Sequence, residues 1–233
     1  MTTQISVENY LEKIKTILKD NGNPETAQWQ IAYMKNKFDY FGLKAPIWMG
    51  IAKAFFKEHG IFDGEELKTF VRRCFDEPQR EMHYIAIQMT QQALPRQAEN
   101  FIFFLEELIL SKSWWDSVDG LTKLVALHFE RFPHQMRPTT EGWMVSNNMW
   151  LQRVAITFQR YYKKKTDAAM LFDYILRLAH STEFFIQKGS GWALREYSKI
   201  DPQAVLDFVG KHDLPRLTRR EAIRLMDDSS TQV

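Results

Sequence analysis

The chain has 233 residues, of which 45% are apolar and 26% charged, with a formal net charge of +2, one Cys, 10 Gly and 8 Pro. These values exclude a disordered, collagen-like or disulfide-stapled chain, and a chain of this length hides roughly 70% of its unfolded surface on folding. No apolar run approaches the ~18 residues of a membrane-spanning helix, and the opening MTTQISVENYLEKIK lacks the basic flank and apolar stretch of a signal peptide, so a soluble, cytoplasmic protein is expected.

In chain order, apolar residues recur every three or four positions. Val7, Tyr10, Leu11, Ile14 and Leu18 make a first stripe, ended by the turn Asn21-Gly22-Asn23-Pro24. Phe70, Val71, Cys74 and Phe75 make a second. Phe101, Phe104, Leu105, Leu108 and Ile109 make a third, and Met170, Leu171, Tyr174, Ile175 and Leu178 a fourth. Helix starts are predicted at Asp63, at Asp76 before Pro78, at Thr166-Asp167 and at Asp201 before Pro202. Breaks are predicted at Gly42, Gly60, Pro95, Pro133, Pro138 and Pro215. Strict alternation is absent, and the one Asn-Gly lies between helical patterns, so no hairpins are expected. About a dozen helices of roughly 10–16 residues result, in one domain over 1–233 with no Pro/Ser-rich linker.

Four stretches resemble one another. They start at Pro78 (PQREMHYIAIQM), Ser113 (SWWDSVDGLTKLVAL), Asn147 (NNMWLQRVAITFQRYY) and Phe184 (FFIQKGSGWALREYSK). Their offsets, about 35, 34 and 37–42 residues, match two-helix repeats of the HEAT or armadillo kind. The predicted fold is therefore an all-α, right-handed solenoid of HEAT-like repeats, with second helices lining a concave groove. An irregular helical bundle is the alternative, because the similarity is weak in the first 75 residues.

The repeats nominate a small set of residues. Trp115 and Asp119 are four apart and share a helix face; Trp150 and Arg153, and Trp192 and Arg195, are three apart; Lys188 and Trp192 are four apart. Asp119, Arg153 and Trp192 fall near one place in consecutive repeats. Arg153 could equally do no more than pair with Asp119. Trp114 and Trp150 read as core. Trp192 lies among Gly189, Gly191 and Ala193, small neighbours that leave an indole accessible. Glycines inside a helix cost about 1 kcal/mol each, so close approach of another chain is a candidate compensation.

Charge is uneven. Residues 1–100 carry 13 basic and 13 acidic side chains, whereas residues 144–224 carry 14 basic and 8 acidic. Arg160, Lys163, Lys164 and Lys165 cluster around Tyr161 and Tyr162, and a second cluster holds Arg216, Arg219, Arg220 and Arg224. Cations interleaved with aromatics suit phosphate contacts and packing on sugars, although a run of lysines is also a common solvated helix end. TRREA at 218–222 reads as a capping box, with Thr218 as cap and Glu221 three residues later. The six His show no metal-ligand spacing, Cys74 reads as inert core, and phosphate-loop and nucleophile-elbow motifs are absent.

These residues resemble the AlkD-like DNA alkylation repair glycosylases, a family with HEAT-like repeats. The resemblance rests on SKSWWDSVD (111–119), WLQRVAI (150–156), FFIQK with GWALREY (184–197) and LTRREAI (217–223), with YMKNKF and FGLKAP (33–46) similar to an N-terminal signature. It implies excision of N3- and N7-alkylated purines from duplex DNA. It implies that Trp115, Asp119 and Trp192 surround the lesion nucleotide, that Arg153 holds phosphate, and that Tyr33 contacts DNA. At Lys44 and Tyr161 the sequence departs from the pattern expected of DNA-contact positions.

The chemistry is consistent with those residue types. An alkylated purine is cationic and already a good leaving group. One carboxylate can stabilise the oxocarbenium-like sugar and orient water, and indole faces add cation–π attraction of ~0.5–2 kcal/mol. No lysine is nominated as a Schiff-base nucleophile. Lys188 and Arg195 are assigned to phosphate, with Arg160 and Lys163. The expected activity is a monofunctional glycosylase of base excision repair, acting as a monomer, that leaves an abasic site and requires no metal or organic cofactor. The alternative is a non-catalytic HEAT-repeat scaffold or nucleic-acid-binding module.

Overall fold

A computed structural model describes residues 5–227. Among them all regular structure is helical, and the only β-type pairing is an isolated bridge between Asp39 and Gln79. The chain divides into two compact units, one ending at Phe104 and one starting at Leu105.

The first unit contains α1 (Val7–Asp20), α2 (Pro24–Tyr33), α3 (Ala45–His59), α4 (Gly64–Asp76) and α5 (Arg80–Ala93). The stripe of α1 is buried in full, and Tyr10 sits at its centre. Its ring packs edge-on against Phe55 at 4.7 Å and Phe70 at 5.2 Å, while its hydroxyl donates to Gly60 O at 2.7 Å. Burial pushes the Tyr10 hydroxyl well above the ordinary tyrosine range. Cys74 is fully buried in the α4 stripe, and burial drives its thiol pKa up, which suits inert core.

The segment between α2 and α3 is pinned from α5. The buried Glu81 carboxylate accepts N–H bonds from Phe41, Gly42 and Leu43 at 2.9–3.1 Å. Burial raises the Glu81 pKa, and these three donors oppose the rise. Gly42 has φ +92°, and a Cβ there would lie 1.9 Å from Asn23 O, so this turn admits only glycine. Arg80 is fully buried with its guanidinium 3.8 Å from the Phe38 ring centroid.

The third stripe lies on α6 (Phe101–Leu110), where the two units meet in sequence. The second unit continues through α7 (Trp115–Arg131), α8 (Pro133–Met144), α9 (Met149–Thr157), 3-10 turns at Phe158–Tyr161 and Lys163–Lys165, α10 (Ala168–Arg177), α11 (Phe184–Ser198), α12 (Pro202–Lys211) and α13 (Arg216–Asp227). The predicted stripes of α6 and α10 are buried. α5, α7, α9 and α11 begin at Arg80, Trp115, Met149 and Phe184, about 35 residues apart, which is the repeat that the sequence carries.

Local signals divide by mechanism. Asp63, Asp167 and Asp201 cap α4, α10 and α12 through side-chain bonds to Gly64 N, Met170 N and Ala204 N. Asp76 instead closes α4, and the next helix starts at Arg80. Pro138 lies inside α8 rather than ending it. A proline in that position supplies no N–H to the carbonyl four residues earlier, and the helix continues over the buried Thr140 and Trp143, whose Nε1 donates to Glu106 at 2.7 Å. Thr218 is no cap: α13 starts at Arg216, and the Thr218 hydroxyl donates to Gln187 O at 3.0 Å.

A candidate active site at the Asp119–Arg153 pair

Asp119 lies one turn into α7, on the face opened by Trp115. Arg153, one turn into α9, meets it with both edges aligned. Nε donates to Oδ1 at 3.0 Å and Nη2 to Oδ2 at 2.9 Å. The third arm, Nη1, donates to Phe185 O in the first turn of α11 at 2.7 Å. One guanidinium thus ties three repeat helices together, as a planar fork allows and an ammonium would not. The Arg153 side chain is only 4% exposed, whereas Asp119 keeps 18% exposure.

The two glycines of α11 have separate causes. A Cβ on Gly189 would lie 3.0 Å from Arg153 Nη1. A Cβ on Gly191 would lie 2.5 Å from Glu221 Cβ and 2.7 Å from Thr218 O. The expected close approach is therefore made within this chain, by α9 and α13, and not by another chain. The same packing pairs Glu221 with two cations, Lys188 Nζ and Arg195 Nη1, each at 2.6 Å. Burial alone would raise the Glu221 pKa, but the bonds from Lys188 and Arg195 outweigh it and hold the carboxyl below its usual range.

Phe185 links the pair to an aromatic cluster: the Arg153 guanidinium lies 6.0 Å from its ring centroid. Trp114 packs against Trp150 at 5.9 Å and Phe185 at 5.0 Å, and Trp150 against Phe185 at 5.0 Å. Trp150 is buried, whereas Trp114, Trp115 and Trp192 are each half-buried. Trp192 carries a cation on its ring: the Arg160 guanidinium lies 3.2 Å from the indole centroid. Burial pulls the Arg160 pKa below its usual value, opposed by the fields of Tyr161 and Asp119. Lys163, Lys164 and Lys165 are exposed. In the first unit, Tyr33 is exposed and stacks on Trp29 at 5.2 Å and 8° between planes, and Lys44 is exposed at the start of α3. Among the described residues no three His, Cys, Asp or Glu cluster as a metal site, and no helix is long and apolar enough to cross a membrane.

Residues 14–226 match the family model described as DNA alkylation repair enzyme. The chain belongs to the DNA alkylation repair enzyme family. A solved structure titled as a predicted DNA alkylation repair enzyme from Enterococcus faecalis is 32% identical, with a TM-score of 0.81 over 87% of this chain and 95% of that one. AlkD2 from Streptococcus mutans shares the fold at 18% identity, with a TM-score of 0.59 over 85% and 96% of the two chains. The protein smu.31 from Streptococcus mutans UA159 does so at 16% identity, with a TM-score of 0.61 over 91% and 97%. No curated protein sequence matches significantly.

For this member of the alkylation repair family, two of the residue groups nominated by the sequence are in direct contact: Asp119 with Arg153, and Arg160 with Trp192. By helix register the counterpart of Asp119 and Arg153 on α11 is Lys188, the fifth residue of its helix, while Trp192 lies one turn further on. Sequence reasoning missed the Phe185 carbonyl as an anchor and Glu221 as the counter-ion of Lys188 and Arg195. A polar Glu221 spaced among the apolar positions of α13 was a usable signal for the latter.

Proposed function

We propose that this alkylation repair protein hydrolyses the N-glycosidic bond of cationic N3- and N7-alkylated purines in duplex DNA and leaves an abasic site. The observation that carries the reading is a partly exposed carboxylate held by a buried bidentate arginine, one helical turn from the half-buried Trp115. As the bond to the departing base lengthens, positive charge moves onto the sugar. Asp119 faces that charge, stabilises it and orients the water that adds to C1′. The departing base leaves as a neutral purine, so no strong general acid is required.

Arg153 is the positioning residue in this scheme. Three of its donors are used within the protein and its side chain is buried, which supports holding Asp119 over gripping phosphate. Trp115 and Trp192 supply apolar, electron-rich walls for the sugar. Arg160, Lys163, Lys188, Arg195 and Tyr33 are proposed to contact the strand backbone. Of these, Lys163 and Tyr33 are the most exposed, while Lys188 and Arg195 share Glu221.

Methylated duplex incubated with the protein should release alkylpurine, and Asp119→Asn should bind the duplex while releasing far less. Intact binding with no released base from the wild type would assign the chain to nucleic-acid binding without catalysis.

A further inference from the structure

Trp29 and Tyr33, one turn apart on α2, stand in water. Trp29 is 66% exposed and Tyr33 56%, while the other six tryptophans are buried or half-buried. Their rings stack at 5.2 Å with 8° between planes. Tyr33 therefore covers one face of the indole, and the remaining exposure comes from its second face and its edges. Trp29 also lines an open groove of about 540 Å3 with Glu25, Thr26 and Lys44. Among the described residues neither Lys44 nor Glu25 has an ion-pair partner. Lys35 and Lys37, both exposed, follow Tyr33 in the chain, so that three cations face two acids, Glu25 and Asp39, over residues 24–47.

We propose that Trp29 stacks an unpaired nucleobase of single-stranded DNA, with Lys44 on an adjacent phosphate and Glu25 accepting from the amino edge of the base. Each group of the groove answers one part of a nucleotide. Parallel rings offer a flat slot, which suits a planar base and not the box of perpendicular rings that encloses a quaternary ammonium. Lys44 also disfavours a cationic ligand, and Glu25 disfavours a bare anion; a base with a donor edge and a phosphate satisfies both. Bases inside a duplex already have both faces stacked, so only an unpaired one can lend a face to Trp29. DNA rather than RNA follows from the repair family to which the chain belongs. The inference does not depend on the glycosylase reading: the platform lies in the first unit and Asp119 in the second. Release of alkylpurine from a methylated duplex tests that reading by itself.

The test uses the full chain and two labelled single strands of about twelve nucleotides. One is oligo-dC; the other keeps the same phosphates but carries an abasic tetrahydrofuran at every position. The readout is the ratio of their Kd values, in which any general change in phosphate grip cancels. Wild-type protein should prefer the strand with bases. Trp29→Ala should shrink that preference about five- to thirtyfold, and Trp29→Phe, which keeps a ring, should retain most of it. Because Trp29 is exposed, neither change opens the core. Lys44→Ala should weaken both strands alike and lower the salt slope by about 0.7. No preference in the wild type, or a preference undiminished in Trp29→Ala, would overturn the proposal. A wild type without preference that instead binds a polyproline peptide through Trp29 would assign the platform to peptide and overturn it equally.

Discussion

Asp119→Asn separates the charge of the carboxylate from its shape. A unit charge ~4 Å from a cationic centre contributes about 4 kcal/mol at an effective dielectric near 20. Part of that is already present in the ground state, because the alkylated base is cationic, and only the part that grows in the transition state lowers the barrier. If half or more survives, the variant should excise roughly 30- to 1000-fold more slowly, at 1.36 kcal/mol per decade. The Arg153 charge does not soften this loss, since its repulsion of the substrate cation remains when Asp119 is neutralised. The structure adds a second consequence. Arg153 is 4% exposed and would lose its counter-charge, while one Asn oxygen and Phe185 O could still accept from it. A stability loss of about 3 kcal/mol is expected, near the lower end for a broken buried pair, or roughly 6–12 °C in melting temperature. Single-turnover excision should therefore be measured well below the variant's transition, with duplex affinity recorded alongside. Near-wild-type excision by folded Asp119→Asn would refute the role assigned to this carboxylate.

Gly191→Ala should destabilise by about 1–3 kcal/mol, because its Cβ would meet Glu221 Cβ and Thr218 O at 2.5 and 2.7 Å. Gly189→Ala should barely move the melting temperature, since its 3.0 Å contact is with a side-chain end and helix propensity gains about 1 kcal/mol; by displacing Arg153 it should nonetheless slow excision. Trp150→Ala should cost about 3–5 kcal/mol in melts, as a buried indole does, whereas Trp115→Ala and Trp192→Ala should lose excision with smaller stability costs. Glu221 has a folded pKa below its unfolded value of about 4.3. Its contribution is therefore present above that value and lost as pH falls through the folded pKa, so Glu221→Gln should melt lower at pH 7 and flatten the acid limb of stability; parallel acid limbs would refute it. In salt titrations of duplex affinity, Lys163→Ala should reduce the slope by about one, while Arg153→Ala should leave it unchanged.

The helical stripes were legible because each is a local pattern with one buried face, and the caps at Asp63, Asp167 and Asp201 were legible because the capping bond spans at most three residues. The repeat near 35 residues also brought Asp119 and Arg153 into register. What the chain did not disclose depends on contacts across repeats. Thr218 and Glu221 have the spacing of a capping box, but α11 approaches closely through Gly191 and takes both side chains for itself. Pro138 looks like a break, yet the packing of Trp143 and Thr140 carries the helix through it. Arg160 reads as one of a row of surface cations, and only the fold of the 3-10 turn at Phe158–Tyr161 puts it on Trp192.

The central claim is that this chain breaks a glycosidic bond by means of the Asp119 carboxylate. The most direct measurement is a single-turnover reaction of excess protein with a duplex carrying one N7-methylguanine, with mass analysis of both products. The account predicts free 7-methylguanine and an intact strand bearing one hydrolysed abasic sugar, formed by the wild type and strongly slowed in Asp119→Asn. A duplex that is bound but recovered with its methylated base still attached would contradict it.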